Sequence, residues 1–254
     1  MIYFIGAGPG DKELITVRGQ KLLSDADCII YAGSLVNPEL LDYARSDCVL
    51  YDSAGMTLEE VVQVMMDNEK NDMMTARLHT GDPSIFGAIK EQIDILETHA
   101  IDYTIIPGVS SFFGAAAAMG VEYTLPGISQ TVILTRMEGR TPVPHKERIT
   151  ELAKIQASMV IFLSSGMLPE LSEKLIEGGY PKDTPAAIVY KATWPDEKIV
   201  ETTVEKLAEA GGRNSISRTA LILVGDFLRG EYERSMLYNP EFSHGYRTGT
   251  TGNE

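Results

Sequence analysis

Glycine- and proline-rich turns that carry single charged or hydroxyl residues are the segments of this chain with the most chemical potential. Gly6-Ala7-Gly8-Pro9-Gly10-Asp11 follows an apolar run directly, and Thr80-Gly81-Asp82-Pro83 and Pro107-Gly108-Val109-Ser110-Ser111 follow two others. Glycine lets another group approach the backbone closely, and aspartate and serine offer charge and hydrogen bonds. These turns predict a site that binds a small molecule, although N-capping of the next helix is the simpler interpretation of Asp82 and of one of the two serines.

The first turn does not fit the dinucleotide-binding pattern G-x-G-x-x-G. The third glycine would stand at position 11, which is Asp11, and Pro9 removes an amide donor from the loop. Thr16 is predicted to cap the next helix, which therefore begins too late to direct its N-terminus at a phosphate held by residues 6–10. The pattern disfavours a nicotinamide dinucleotide, and a tight turn without a ligand is the alternative for this segment taken alone.

Two further turns carry polar groups. Tyr31-Ala32-Gly33-Ser34-Leu35-Val36 follows a second apolar run, and Thr135-Arg136-Met137-Glu138-Gly139-Arg140-Thr141-Pro142 follows a later one. Two arginines in a proline-bounded loop can bind carboxylates in a bidentate manner. A solvated loop is the alternative interpretation.

Composition limits the classes of function. The chain has 254 residues, 44% apolar and 23% charged, and a formal net charge of −14. This charge disfavours nucleic-acid and anionic-membrane binding, both of which need clustered cations. No apolar run reaches the length of a membrane span and no basic segment precedes the first strand, so we expect a cytoplasmic protein. Two cysteines without a C-x-x-C and four scattered histidines predict no metal site.

Apolar and amphipathic segments alternate along the chain, which predicts an α/β fold with mostly parallel sheets. The strands are 2–5, 28–31, 49–51, 74–79, 103–106, 131–136, 159–163, 186–191, 199–202 and 220–224; the helices include 58–68, 85–98, 110–119, 146–155, 168–177 and 204–210. We expect an N-terminal α/β domain over residues 1–120, a C-terminal α/β domain over 121–230, and a polar tail over 231–254 that is poorly packed or disordered.

The order and spacing of these turns, together with the strand Ala220-Leu221-Ile222-Leu223-Val224-Gly225, resemble the tetrapyrrole (class III) S-adenosylmethionine-dependent methyltransferases over about the first 230 residues. The segments beginning at Tyr31 and Thr135 are similar to the branch that methylates C11 of precorrin-4 or cobalt-precorrin-4. The uroporphyrinogen branch has an aspartate-bearing loop where this chain has Ala32-Gly33-Ser34.

This resemblance implies two αβα domains with a cleft between them that binds S-adenosylmethionine, in a homodimer. It assigns cofactor contacts to one residue of the first turn, to three residues of the second turn and Ile85 after it, to two of the third turn and to three residues in the second half of the chain. These are Pro9, Gly81, Asp82, Pro83, Ile85, Ser110, Ser111, Leu163, Tyr190 and Ala220. No catalytic base is singled out, and Asp82 is a candidate that can also serve only to orient the cofactor.

The chemistry implied is displacement at a sulfonium methyl by an electron-rich pyrrolic carbon. The protein mainly has to align the two reactants and exclude water, which agrees with a chain that shows no Ser–His–Asp or Cys–His signature. The acidic chain needs cations for the substrate's carboxylates, and we assign this role to Arg136 and Arg140, with Arg18 and Lys191 as further candidates. The alternatives are methylation of uroporphyrinogen-III or another precorrin position, an RNA or protein methyltransferase of this fold, a non-catalytic nucleotide-binding module, and a dehydrogenase.

Overall fold

The computed structural model describes residues 1–250 of the chain. Within them, two five-stranded sheets form, with α-helices between most of the strands. The strands are β1 (Ile2–Gly6), β2 (Cys28–Tyr31), β3 (Val49–Asp52), β4 (Thr75–His79), β5 (Tyr103–Ile106), β6 (Val132–Arg136), β7 (Ser158–Phe162), β8 (Pro185–Tyr190), β9 (Lys198–Thr203) and β10 (Ala220–Val224). The helices are α1 (Val17–Asp25), α2 (Leu58–Lys70), α3 (Ile89–Thr98), α4 (Ser111–Met119), α5 (Ile149–Leu152), α6 (Leu168–Glu177) and α7 (Leu207–Arg213).

The chain divides into two compact units. The first contains Met1–Ala118 and also Tyr190–Lys198, and the second contains Met119–Val189 and the described part of Ile199–Glu254. The division therefore differs from two consecutive segments, because a short stretch late in the chain packs with the first unit. Two side chains of this stretch, Trp194 and Thr193, form hydrogen bonds with the backbone of Pro9 and Asp11.

The sheet of the first unit has the strand order β3-β2-β4-β1-β5, and its strands pair in parallel. Alternate side chains of each strand point to opposite faces. One face packs Ile5, Ile29 and Leu78 with residues of α1, and the other packs Phe4 and Ile30 with residues of α2 and α3. Because both faces are covered, the inner strands are apolar along most of their length, as expected for a buried parallel sheet.

Local capping explains where two of the helices begin. The Thr16 hydroxyl accepts a 3.1 Å hydrogen bond from the N–H of Gly19, which confirms Thr16 as the N-cap of α1. Thr57 and Glu60 cap α2 reciprocally, each side chain accepting from the other residue's backbone N–H. These caps satisfy N–H groups that the first helical turn leaves without a partner.

The helix predicted from residue 85 begins at Ile89 instead, so this prediction was wrong by four residues. Residues 83–86 form a turn, and Phe86 and Ala88 have φ angles of 54° and 48°. A residue in this left-handed region turns the chain away from a right-handed helical path. The turn lengthens the loop after β4, so that residues of this loop can contact other segments of the chain.

The second sheet has the order β6-β7-β10-β8-β9 and is mixed. β6 and β7 pair in parallel, whereas β7 and β10 pair antiparallel. The helix predicted over residues 146–155 is reduced to α5 between two short 3-10 turns, since Arg148 is extended (φ −61°, ψ 147°) and interrupts it. The helix predicted from residue 204 begins with a 3-10 turn and becomes α7 at Leu207.

Residues 231–250 of the predicted tail contain a 3-10 turn at Met236–Tyr238 and a bridge between His244 and Arg247. Residues 251–254 of that tail lie outside the described residues. In the part of the chain that is described, the helices are too short or too polar to cross a bilayer.

Candidate functional site

The loops that follow β1 and β4 lie side by side at a switch point of the first sheet. β1 and β4 are neighbours in this parallel sheet. The chain leaves β1 through α1 towards β2 and leaves β4 through α3 towards β5, and these strands lie on opposite sides of the β1–β4 pair. The two connections run on opposite faces of the sheet, because α1 packs on one face and α3 on the other. The carboxyl ends of strands at such a switch point are where open α/β sheets bind ligands.

Three loops meet at this edge through their backbones. Gly8 and Gly81 form a bridge, with N···O distances of 3.2 Å and 2.9 Å for the two reciprocal hydrogen bonds. A methyl group at Gly108, in the loop after β5, would overlap the carbonyl oxygen of Gly81 and would lie 2.7 Å from the Cα of Gly6. Glycine is required at position 108 because only a residue without Cβ permits this approach. The sequence-predicted turns at residues 6–11, 80–83 and 107–111 are therefore brought together.

Asp82 joins two of these loops through its carboxylate. Oδ2 accepts a 2.8 Å hydrogen bond from the N–H of Gly108, and Oδ1 accepts from the N–H of Ser84 at 2.8 Å and from the Ser84 hydroxyl. Burial opposes ionisation of this carboxyl, but the bonds from the Ser84 hydroxyl and from the N–H groups of Gly108 and Ser84 outweigh it and hold its pKa below the usual range. Asp82 is therefore ionised, which suits an orienting or charge-stabilising role better than that of a proton acceptor.

The predicted cofactor contacts of the first half of the chain lie on these same loops. Among them, Pro9, Gly81, Pro83 and Ser110 are buried, and Asp82, Ile85 and Ser111 are half-buried. Gly81 has a φ of 61°, and a Cβ at this position would contact the backbone of Ser110 and Ser111 at 3.4 Å. Their common edge offers backbone groups, three apolar side chains, two hydroxyl groups and one carboxylate.

A segment that sequence reasoning missed packs on the first loop. The indole Nε1–H of Trp194 donates to the carbonyl oxygen of Pro9 at 3.1 Å, and the N–H of Asp11 donates to Thr193 Oγ1 at 3.0 Å. The signal available in the sequence was that the only tryptophan of the chain is followed by a proline. Nothing in its spacing, however, connects it to a turn more than 180 residues earlier.

The predicted residues of the second half fall at one edge of the second sheet. Arg136 ends β6 and pairs with Phe162 of β7. β10 pairs antiparallel with β7 from Ile222↔Ile161 to Val224↔Met159, so the start of β10, at Ala220, lies towards the end of β7. Leu163 follows β7 with 66% of its surface exposed and a φ of 53°. Arg136, Leu163 and Ala220 therefore lie at the same edge of the second sheet, at the ends of the neighbouring strands β6, β7 and β10.

Tyr190, the remaining predicted cofactor contact, ends β8 and is half-buried. It falls in the stretch that packs with the first unit. The Nζ of Lys191 lies 5.5 Å from the centre of its ring.

The two arginines predicted to bind carboxylates differ in what they contact. The Arg136 guanidinium donates to the carbonyl oxygens of Met137, Thr141 and Pro142 at 3.3, 3.2 and 2.8 Å, so it closes its own loop. The Arg140 side chain lies in that loop and is exposed. This geometry gives Arg136 a structural task and makes Arg140 the better candidate for a ligand carboxylate.

The base of that loop is fixed from two sides. The N–H of Met137 donates to Ser164 Oγ at 2.9 Å, and Glu138 forms an ion pair with Lys174 of α6 at 2.7 Å. Of the other two cationic candidates, Arg18 is exposed on α1, and the Lys191 ammonium lies 2.7 Å from a carboxylate oxygen of Asp196.

Two buried basic residues of β4 were also missed. Arg77 Nη1 donates to the carbonyl oxygen of Ile30 at 3.2 Å, and its Nε donates to Gln92 at 3.2 Å. Burial, assisted by the charge of Arg77, lowers the pKa of His79 to about 3, so its imidazole is neutral at pH 7. Its Nε2 is buried without a hydrogen-bond partner among residues 1–250.

Two further observations concern residues that the predicted site does not include. The second unit contains a cavity of about 940 Å³ between residues 120–130 and 227–238, lined in part by Leu125, Phe227 and Tyr232. None of the predicted site residues lines it. Across residues 1–250, no group of three or more His, Cys, Asp or Glu side chains is placed to hold a metal ion.

Comparisons with known proteins agree with this geometry. Residues 1–208 match the family of tetrapyrrole (corrin/porphyrin) methylases. The chain is 53% identical to a cobalt-precorrin-4 C(11)-methyltransferase of Methanocaldococcus jannaschii, over 97% of this chain and 95% of that protein.

Two solved structures are similar in fold. The X-ray structure of a cobalamin biosynthetic enzyme, cobalt-precorrin-4 methyltransferase, matches with a TM-score of 0.87 and 49% identity, over 89% of this chain and 95% of that chain. A uroporphyrin-III C-methyltransferase from Thermus thermophilus, complexed with S-adenosylhomocysteine, matches with a TM-score of 0.77 and 25% identity, over 91% of this chain and 99% of that chain. The glycine turns meeting at one sheet edge and the similarity over nearly the whole length together show that the chain belongs to the tetrapyrrole (corrin/porphyrin) methylase family.

Proposed function

We propose that this chain transfers the methyl group of S-adenosylmethionine to C11 of cobalt-precorrin-4 or precorrin-4, a step in building the corrin ring of cobalamin. The observation that carries the proposal is the meeting of three glycine-containing loops at the β1–β4 switch point, in a chain 53% identical to a named cobalt-precorrin-4 C(11)-methyltransferase. Both comparison proteins named for precorrin-4 act on its cobalt form, so we propose the cobalt form as the first substrate to test.

The chemistry of the loop edge suits a cationic sulfonium. Asp82 is ionised, and no Lys or Arg of residues 1–250 lies within ion-pair distance of it. A carboxylate has about four lone-pair positions and Asp82 uses three of them, which leaves acceptor capacity for a ligand. A positively charged ligand would compensate this charge without any movement of the loops.

The residues that would hold the cofactor remain those predicted from the sequence. Pro9, Gly81, Asp82, Pro83, Ile85, Ser110 and Ser111 lie on the three joined loops, and we propose them as contacts of its methionine part. Leu163, Tyr190 and Ala220 stay predictions as contacts of the adenine part. When bound, S-adenosylmethionine supplies an electrophilic methyl group on a positively charged sulfur. The chain's own task is to orient the two reactants and exclude water.

Binding of the tetrapyrrole requires cations, since its acetate and propionate arms are anionic at neutral pH. We propose Arg140 as a direct partner, because it is exposed at the tip of a loop whose base is fixed by Arg136, Ser164 and Lys174. Each charge-assisted hydrogen bond contributes about 1.5–3 kcal/mol. We further propose that the enzyme works as a homodimer in the cytoplasm.

The test is transfer of a labelled methyl group. The purified chain would be incubated with S-adenosylmethionine carrying a ¹³C-methyl group and with cobalt-precorrin-4 or precorrin-4, and the product examined by NMR. We expect one new methyl signal, coupled to C11. A methyl group at another ring position, or no transfer to either substrate while a related enzyme is active in the same assay, would overturn the proposal.

A further inference from the structure

A short turn late in the chain packs on the first glycine loop. Residues 191–197, which we call the 191–197 turn, belong to the stretch that packs with the first unit, although the strands before and after it, β8 and β9, belong to the second sheet. The turn closes on itself through hydrogen bonds from Trp194 N to Lys191 O and from Glu197 N to Trp194 O, both 3.0 Å.

Trp194 makes the most specific contact. Its indole Nε1–H donates to the carbonyl oxygen of Pro9 at 3.1 Å. A Cβ at Gly10 would overlap the indole ring and would lie 2.9 Å from the carbonyl oxygen of Ala192. Position 10 requires glycine because the 191–197 turn packs directly on it, and not because a ligand must approach it.

Thr193 and Lys191 hold the tryptophan in place. Thr193 Oγ1 accepts the N–H of Asp11 at 3.0 Å, and its methyl group lies near Gly114 of α4, where Pro9 also packs. The Lys191 ammonium lies 4.9 Å from the centre of the Trp194 ring and 2.7 Å from Asp196. Lys191 and Thr193 have φ angles of 48° and 69°, which non-glycine residues rarely adopt. Such conformations persist where surrounding contacts over-determine them, and they concentrate at functional sites.

We propose that Trp194 is a positioning residue for methyl-donor binding: the 191–197 turn holds the Gly6–Asp11 loop in the shape that receives the cofactor. The inference rests on the function proposed above, because it requires that this loop bind S-adenosylmethionine. The loop is held on one side by the Gly8–Gly81 bridge and by the bond from Asn37 Nδ2 to the Gly10 carbonyl oxygen. The 191–197 turn adds two long-range hydrogen bonds, Trp194 to Pro9 and Asp11 to Thr193, and the indole packed on Gly10. Preorganisation of this kind lowers the cost of ordering the loop on binding.

The experiment compares the wild type with Trp194→Phe and with a matched control. Trp194→Phe keeps an aromatic ring but removes the donor to Pro9. Tyr180→Phe removes a buried hydroxyl that donates to the Ala157 carbonyl oxygen within the second unit. Calorimetry would measure binding of S-adenosylhomocysteine, and kinetics would measure KM for both substrates. We expect the Kd and the KM for the donor to rise about tenfold in Trp194→Phe, because one buried hydrogen bond is lost. The KM for the tetrapyrrole should stay unchanged.

Tyr180→Phe should lower the thermal stability and leave the Kd unchanged. The inference would be overturned if the wild type and Trp194→Phe bound S-adenosylhomocysteine equally well and had the same KM for the donor. The proposed function would then stay intact. Failure of the wild type to bind S-adenosylhomocysteine would overturn both.

A second measurement needs no variant. Trp194 is the only tryptophan of the chain, so fluorescence excited at a wavelength that tyrosine does not absorb reports on this position alone. We expect a saturable change in emission on titration with S-adenosylhomocysteine. The midpoint of this change should agree with the Kd that calorimetry gives. Unchanged emission at saturation would contradict the coupling between the turn and the site.

Discussion

The backbone N–H of Gly108 donates a 2.8 Å hydrogen bond to Oδ2 of Asp82, and a side chain at Gly108 would overlap the carbonyl oxygen of Gly81. The loop after β5 is therefore held against the loop after β4 by one charged acceptor and by the absence of one Cβ. Both strands flank β1, so the Gly6–Asp11 loop completes the arrangement. Several of the expected effects of mutation follow from this contact.

Asp82→Asn should weaken binding of S-adenosylmethionine more than binding of S-adenosylhomocysteine. The amide oxygen can still accept the Gly108 N–H, but the negative charge that would face a sulfonium is lost. We expect the Kd for the cationic donor to rise about tenfold or more, on the scale of one charge-assisted interaction. Calorimetry with both ligands measures the difference.

Ser84→Ala is the control for this prediction, because it removes one hydrogen bond to Asp82 and keeps the charge. It should affect the two ligands equally. If Asp82→Asn also affected them equally, Asp82 would act only by holding the loops, and its proposed electrostatic role would be wrong.

Gly108→Ala should destabilise the protein by about 1–3 kcal/mol, the usual cost of overpacking a filled site. The added methyl group would meet backbone atoms of Gly81 and Gly6, which cannot rotate away as a side chain can. Gly212→Ala is a matched control, since its Cβ would meet no atom within 4 Å and it lies in α7. There, alanine should stabilise the helix by up to about 1 kcal/mol. Urea unfolding of both variants measures these free energies, and equal effects would show that the three loops are not closely packed.

Arg140→Ala and Arg136→Ala should have different consequences. Arg140 is exposed and its removal should raise KM for the tetrapyrrole, by about tenfold for one lost charge-assisted bond, without a change in Tm. Arg136 bonds to three carbonyl oxygens of its own loop, so its removal should lower Tm as well as raise KM. Steady-state kinetics and thermal denaturation separate the two roles. A normal KM in Arg140→Ala would exclude it as a carboxylate partner.

His79 should make the folded state sensitive to acid. Its pKa is lowered to about 3 in the folded chain, against an ordinary value of 6.5. Between these values the unfolded chain binds more protons than the folded chain, so stability falls as the pH falls from about 6.5 towards 3. The slope from one group is at most about 1.4 kcal/mol per pH unit. His79→Gln, which does not titrate, should show a weaker decline in urea unfolding between pH 7 and pH 4.5; the same decline in both proteins would contradict the prediction.

Most strands could be predicted from the sequence because buried parallel strands are continuous apolar runs bounded by turn residues. β2, β5 and β10 have the predicted bounds, and the others differ by a residue or two. The bounds of the helices were harder to predict. α3 begins four residues late because Phe86 and Ala88 adopt positive φ, a choice that loop packing makes and that local propensity does not show.

The candidate site, too, could be predicted from the sequence only in part. The turns that carry Pro9, Asp82 and Ser110 could be found because glycine, proline and polar residues at strand ends are a local pattern, and parallel strands bring their carboxyl ends to one edge. The hydrogen-bond partners of Arg136 could not be predicted. The same sequence is compatible with a free guanidinium and with one that donates to three carbonyl oxygens of its own loop.

The sequence by itself determined the α/β class, the positions of the glycine turns and the family, since these depend on residue types at short spacing. Only the tertiary structure decided that the second sheet is mixed, that Asp82 bonds to Gly108, and that Trp194 covers Gly10. These relationships join residues 26 to 185 positions apart. Strand order and loop packing set them, and a single sequence contains no local signal for either.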